Sequence, residues 1–303
     1  MPERAARLPA STTADYGNPD PDWLQIDWRE HLHRVELPGA SVSYVDIGEG
    51  EPILFLHGLS GSWQNWLETL PHVARGHRAI ALDLPGFGAS PMPSWKIEVP
   101  AYGRLVHDFC EKLGIDRWVG LVGNSMGGFV ALEAATLASE RFARLGLVSA
   151  AGLINTWNPE ERAVVVAYAW KTLGPHFADR RQEIINRPRF RQAVFGRFFR
   201  YPEKLRAELL WEQMTNGLAN CPGFGDGLRA VIRHDIRDRL AGVEIPTMIF
   251  WGFDDRVIPV RAAISYHRRI PGSRLEIFER TGHVPQLERP SRFNTILDDF
   301  LTD

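Results

Sequence analysis

The sequence predicts an α/β fold: a mostly parallel central sheet with helices on both faces and a helical insertion within it. Three observations carry this. Solid apolar runs of strand length alternate with helical stretches from about residue 53 onward, the signature of a sheet buried on both sides. The alternation stops at Gly152 and resumes at Pro246, so a helical segment interrupts one domain. Directly after one apolar run, a serine stands between glycines, where a strand turns sharply into a helix.

The elements follow in order. Residues 1–30 read as an N-terminal arm, polar and proline-rich from Ser11 to Asp22, with Trp23, Leu24, Ile26 and Trp28 expected to tether it. Met1 to Leu8 is charged, but no apolar run follows it, so no secretory signal is expected. His33 to Leu37 and Ala40 to Ile47 flank Pro38-Gly39, an alternating pattern around a turn that predicts an antiparallel hairpin. Ile53 to Leu56 is the first buried strand, followed by a helical stretch from Trp63 to Ala74. Arg78 to Asp83 is a strand, Tyr102 to Leu113 a helix, and Arg117 to Val122 the next strand. The helix Phe129 to Ala138 is alanine- and leucine-rich, suited to burial. Strands follow at Leu145 to Ser149, Pro246 to Trp251 and Arg274 to Phe278, and Glu288 to Leu301 forms the last helix. The expected core domain is therefore 31–151 plus 241–303, with 152–240 inserted.

The chain of 303 residues is long enough for one large domain, and 44% hydrophobic and 24% charged residues are ordinary for a globular protein. A net charge of −2 points to no nucleic-acid partner and no anionic membrane. The longest apolar stretch, Ala163 to Trp170, is far too short to span a bilayer, and a cytoplasmic protein is expected. Two cysteines, Cys110 and Cys221, imply no disulfide framework, and Cys110 falls on a core helix face. No Cys/His cluster has ligand spacing, so neither metal nor cofactor is expected. Residues 152–242 carry 15 Lys+Arg against 10 Asp+Glu, and the remainder 20 against 27. This basic bias reads as a solvated outer face. The aromatics among its arginines, Phe190, Phe195, Phe198, Phe199 and Tyr201, would pack the insertion or line a pocket beneath it.

The chemistry concentrates at strand ends. Gly123-Asn124-Ser125-Met126-Gly127 is a G-x-S-x-G pattern, in which a strained turn presents the serine hydroxyl at a helix N-terminus. Glycines are needed there because strand and helix approach closely. A serine is a poor nucleophile at neutral pH and requires a base, itself oriented by a third group. Later strands supply both: W-G-F-D-D-R-V-I-P from Trp251 to Pro259 offers Asp254 or Asp255, and T-G-H-V-P from Thr281 to Pro285 offers His283. Leu56-His57-Gly58-Leu59 follows another strand, with His57 expected to support its loop and the Asp83 to Ser90 turn read as structural.

With these residues in place, the chain from about residue 40 to its end resembles an α/β-hydrolase-fold serine hydrolase with a helical cap. The resemblance to W-G-x-x-D-x-x-x-P places the acid at Asp255 rather than Asp254, and Gly282 to Pro290 is similar to G-H-x-P-x-x-E-x-P. It implies oxyanion donors at the backbone N–H groups of Leu59 and Met126. Relatives that cleave haloalkanes or epoxides carry aspartate at the elbow, so Ser125 implies acyl transfer to water. The first functional expectation is a carboxylesterase or small lipase acting on a small-molecule ester with an apolar acyl group. The alternative is a carbon–carbon hydrolase of meta-cleavage products, whose elbow Gly123 to Gly128 strongly resembles, with cap arginines holding a carboxylate. Against it stand the oxyanion loop Gly58 to Trp63, which lacks the usual glycine-proline richness, and Val284 where tryptophan usually follows the histidine. A non-catalytic ligand receptor of the same fold is the reading from another class, separated by turnover. The sequence leaves oligomeric state unread.

Overall fold

A computed structural model describes residues 15–153 and 185–302. Residues 1–14 of the arm and the apolar run 163–170 lie outside the described residues. Eight strands form one sheet: β1 Leu32–Leu37, β2 Ala40–Ile47, β3 Pro52–Leu56, β4 Arg78–Leu82, β5 Trp118–Asn124, β6 Phe142–Val148, β7 Thr247–Gly252 and β8 Arg274–Phe278. Their order is β1-β2-β4-β3-β5-β6-β7-β8. The β1–β2 and β2–β4 pairs are antiparallel and every other pair is parallel, as the hairpin signal and the apolar runs predict.

The side-chain period of two divides the core between the sheet's faces. Leu54 and Leu56 of β3 join one apolar cluster with Trp118, Leu121, Ile249 and Trp251. Ile53 and Phe55 join the other with Val122, Met248 and Phe250. Helices cover both faces: α1 Leu70–Val73, α2 Val99–Lys112, α3 Met126–Leu137, α4 Pro188–Phe195, α5 Ala207–Glu212, α6 Phe224–Arg233, α7 Arg261–Arg269, α8 Pro285–Glu288 and α9 Pro290–Thr302. In α2, Tyr102, Leu105, Val106, Phe109 and Cys110 are buried, a single stripe at i, i+3, i+4, i+7 and i+8. Burial pushes the Cys110 thiol up to about 12, so it packs as a small apolar group. Residues Met126 to Ala135 of α3 are buried without a break, which fits its mostly apolar sequence; the exception, Glu133, pairs with Arg239 and His234.

Of the boundaries that differ from the sequence reading, three have a plain physical cause. The stretch from Trp63 to Ala74 is not one helix but a 3₁₀ turn, Trp63–Trp66, followed by the single turn α1; Pro71 has no N–H to extend a helix from upstream. The last helix divides at Arg289, whose φ of −134° and ψ of 53° are non-helical; the residue before Pro290 is pushed out of the helical region. Strand β6 starts at Phe142 because Phe142 and Arg144 continue the ladder opposite Trp118 and Gly120. Between β6 and β7 the described residues 185–242 contain helices and turns and no strand. Among them Gln213–Leu218 is a π-helical turn, a rare form often found at functional sites.

Candidate active site

Ser125 ends β5 and immediately precedes α3, with φ 55° and ψ −116°. A non-glycine residue at such dihedrals costs roughly 1–3 kcal/mol and persists only where its surroundings enforce it. Here they do. The Ser125 N–H donates to the Val148 carbonyl at 2.9 Å, and its own carbonyl accepts the N–H of Ala151 at 2.9 Å and of Phe129 at 3.2 Å. A Cβ on Gly123 would overlap the Gly127 carbonyl, and one on Gly127 would overlap the carbonyls of Leu56 and His57. The two elbow glycines are thus required by backbone packing. Asn124 is 3% exposed, and its amide donates to Val148 O at 3.2 Å and to His283 O at 3.4 Å. It ties the elbow to the loop after β8.

That loop and the one after β7 bring His283 and Asp255 together. His283 Nδ1 lies 2.8 Å from Asp255 Oδ2, with side-chain exposures of 5% and 0%. A carboxylate only accepts, so Nδ1 carries the proton and Nε2 presents its lone pair. The other oxygen, Asp255 Oδ1, accepts the N–H groups of Val257 and Ile258, each at 2.8 Å. Asp254 points elsewhere: its Oδ2 pairs with Arg200 Nε at 3.3 Å. The two loops touch through glycines, since a Cβ on Gly252 would run into the Gly282 carbonyl. The N–H groups of Phe253 and Asp254 bond to the carbonyls of Phe278 and Thr281, both at 2.9 Å.

On the opposite side lies the loop after β3. His57 is fully buried, which drives its pKa down to about 4. Its neutral ring donates from Nδ1 to Gly58 O at 2.7 Å and accepts the Leu84 N–H on Nε2 at 2.9 Å, so it braces the loop as expected. A Cβ on Gly58 would sit 3.0 Å from Ser125 Cβ, which places Leu59 beside the elbow. Among the described residues no backbone acceptor is found for the N–H of Leu59 or Met126. Asp83 bridges two turns, accepting the N–H of Trp63 and of Ala89, each at 2.7 Å. Burial raises its carboxyl to about 7 against those two donors.

The sequence reading missed two networks. Asn65 Oδ1 accepts the Gly58 N–H at 3.2 Å, Asn65 Nδ2 donates to Gln213 Oε1 at 2.6 Å, and Gln213 Nε2 donates to Gln64 O at 2.7 Å. The π turn is thereby joined to the loop carrying Leu59. Glu288 is wholly buried and accepts N–H bonds from Gly282, Val284 and Arg200 and the hydroxyl of Tyr16. Burial lifts its carboxyl above the usual range while those donors pull it back. A glutamate amid Pro285, Leu287 and Pro290 was the available signal. Among the described residues no group of His, Cys, Asp and Glu is arranged to hold a metal, and no helix is long and apolar enough to cross a membrane.

Residues 51–290 match the family described as the alpha/beta hydrolase fold. The chain belongs to that family. Within it, the chain is 30% identical over 283 residues to a 2-hydroxy-6-oxo-2,4-heptadienoate hydrolase of Pseudomonas putida, covering 87% of this chain and 93% of that one. It is 32% identical over 283 residues to a 2-hydroxy-6-oxo-6-phenylhexa-2,4-dienoate hydrolase of Comamonas testosteroni, covering 89% and 94%. Its fold superposes on an esterase from Exiguobacterium antarcticum with a TM-score of 0.74 at 24% identity, covering 89% and 99%. The alpha/beta hydrolase assignment therefore holds for both fold and general class of reaction. Both named relatives are hydrolases of 2-hydroxy-6-oxo-dienoates, not of the esters expected first.

Proposed function

We propose that this hydrolase cleaves a carbon–carbon bond in a ring-fission dienoate, with Ser125 as nucleophile, His283 as base and Asp255 orienting it. The observation that carries the substrate class is the pair of relatives named for such compounds, aligned over nearly nine-tenths of the chain. The elbow resemblance over Gly123 to Gly128 adds to it. Residues 31–151 and 241–303 act as the core domain and 152–240 as a cap.

The chemistry follows from the geometry. In a 2-hydroxy-6-oxo-2,4-dienoate the C2 enol becomes a ketone as C5 gains a proton. Ser125 Oγ then adds to the C6 carbonyl, and its proton passes to Nε2 of His283, whose Nδ1–H already points at Asp255. The new oxyanion sits on the N–H groups of Leu59 and Met126, where loss of one such donor typically costs on the order of 3 kcal/mol. The C5–C6 bond breaks, and its electron pair moves to C5 and spreads into the C2 carbonyl. C5 takes the proton from His283. Water, deprotonated by His283, next releases the acid formed at C6 and restores Ser125.

Ester cleavage is the second reading, and a specific observation supports it. Three of the described cap arginines are engaged: Arg191 with the carbonyls of Ile185 and Leu205, Arg200 with Asp254, Arg206 with Pro19 O and Glu208. A neutral acyl substrate fits that arrangement, as does Val284 beside the base. Comparing kcat/KM for a phenyl-substituted ring-fission dienoate with a series of p-nitrophenyl esters decides between them. The proposal expects the dienoate to lead by at least about 100-fold; rapid ester turnover with an inert dienoate would hand the assignment to the esterase.

A further inference from the structure

The arm reaches the loop that carries His283. Tyr16 is 7% exposed; its hydroxyl donates to Glu288 Oε2 at 2.5 Å, and the Tyr16 hydroxyl oxygen in turn accepts the Tyr201 N–H at 2.9 Å. The Gly17 N–H donates to the Glu288 carbonyl at 2.8 Å. The ring meets that of Tyr201 edge-on, centroids 5.4 Å apart, and the Arg289 guanidinium lies over it at 5.0 Å.

Glu288 passes this contact on. Its carboxylate accepts the N–H of Gly282 at 2.9 Å and of Val284 at 3.2 Å, the two residues that flank His283, and the N–H of Arg200 in the cap at 2.7 Å. The cap answers directly, with Phe198 O accepting the His283 N–H at 2.6 Å. Backbone positions 198, 200 and 201 are thus fixed to the histidine loop, to Glu288 and to Tyr16 in turn.

We propose that Tyr16 is a positioning residue for His283, its hydroxyl closing a clasp of arm, cap segment 198–201 and histidine loop. This rests on the reading of His283 as the base. A buried carboxylate with four donors is held in one orientation. Removing the hydroxyl leaves the buried Glu288 carboxylate one donor short and the part-buried Tyr201 N–H without its acceptor, two mismatches at once. The loop relaxes to repair them, and a base displaced by a fraction of an ångström loses much of its effect.

Ring packing alone makes a different prediction: Tyr16→Phe would behave as wild type and only Tyr16→Leu would suffer. The test measures two things on the full chain. One is the rate at which a fluorophosphonate labels Ser125, with kcat and KM for p-nitrophenyl acetate beside it. The other is amide exchange in the peptide spanning 282–284. The clasp predicts that Tyr16→Phe labels about tenfold more slowly and loses about tenfold in kcat, with KM within about twofold. It also predicts about tenfold faster exchange at 282–284, and Tyr16→Leu no worse than Phe in labelling. Wild-type labelling and exchange in Tyr16→Phe would overturn the clasp. If wild type itself resists labelling, the triad reading fails; unchanged exchange at 282–284 would then still overturn the clasp, and accelerated exchange would uphold its structural part.

Discussion

Replacing Asp255 by asparagine tests the orientation of the base, and the structure dictates which way the amide must face. Asp255 Oδ1 accepts two backbone N–H groups, from Val257 and Ile258 at 2.8 Å each, while Oδ2 faces His283 Nδ1 at 2.8 Å. An asparagine has one oxygen. Turning its NH₂ toward Val257 and Ile258 would set a donor against two donors in a site with 0% side-chain exposure, so the NH₂ must face His283. Nδ1 must then accept, the proton moves to Nε2, and the ring can no longer take a proton from Ser125. A wrong tautomer of this kind lowers kcat by about 10³–10⁴-fold, roughly 4–5.5 kcal/mol in the barrier. Asp254→Asn breaks only a pair with Arg200 in which both side chains are about a third exposed, and its kcat is expected within about threefold of wild type. Steady-state turnover of a p-nitrophenyl ester at pH 7–8 reads both. Asp255→Asn within tenfold of wild type, or Asp254→Asn the more damaged of the two, would refute the reasoning.

Other expectations follow from the same contacts. Asn65→Ala and Gln213→Ala each disturb the loop behind the Leu59 donor, so a double-mutant cycle on kcat should give a coupling of about 1 kcal/mol or more, and strict additivity would dissolve the link. Gly252→Ala sets a methyl against the Gly282 carbonyl and should destabilise by at least ~2 kcal/mol in urea unfolding, with labelling of Ser125 impaired. His57, neutral in the fold with a pKa near 4 against about 6.5 unfolded, takes up its proton at higher pH in the unfolded chain. Its contribution is therefore complete above pH 6.5 and lost as pH falls toward 4. Relative to His57→Gln, the wild type should lose on the order of 3 kcal/mol over that window, and a pH-independent difference would contradict the burial argument.

Much of the frame could be read from the sequence because strand signals are local. All eight strands were visible as apolar or alternating runs, and their parallel pairing followed from the helices between them, while the order in which they lie side by side did not. The triad candidates were visible for the same reason: each follows a strand at the sheet's carboxyl edge, so chain order alone places them near one another. The choice of Asp255 over Asp254 came from the resemblance, and the structure pairs Asp255 with His283. What escaped depends on distance in space. Tyr16 lies 272 positions from Glu288, and Asn65 lies 148 from Gln213; no pattern along the chain links such pairs. The tryptophans expected to hold the arm do so in part, Trp23 through Glu68 and Trp28 against Trp63, while Leu24 is 39% exposed. Substrate class escaped for a different reason. It depends on which side chains the cap turns inward, and similar elbows serve esters and dienoates alike.

If Ser125 attacks a carbonyl, it carries the acyl group as an ester until water releases it. Rapid chemical quench of the full chain with p-nitrophenyl acetate, followed by intact and peptide mass measurement, tests it directly. The account predicts one acetyl group on the peptide containing Ser125, absent from Ser125→Ala, which should also lose turnover while keeping its fold. Acetylation at another residue, or Ser125→Ala turning over at a rate near wild type, would contradict it.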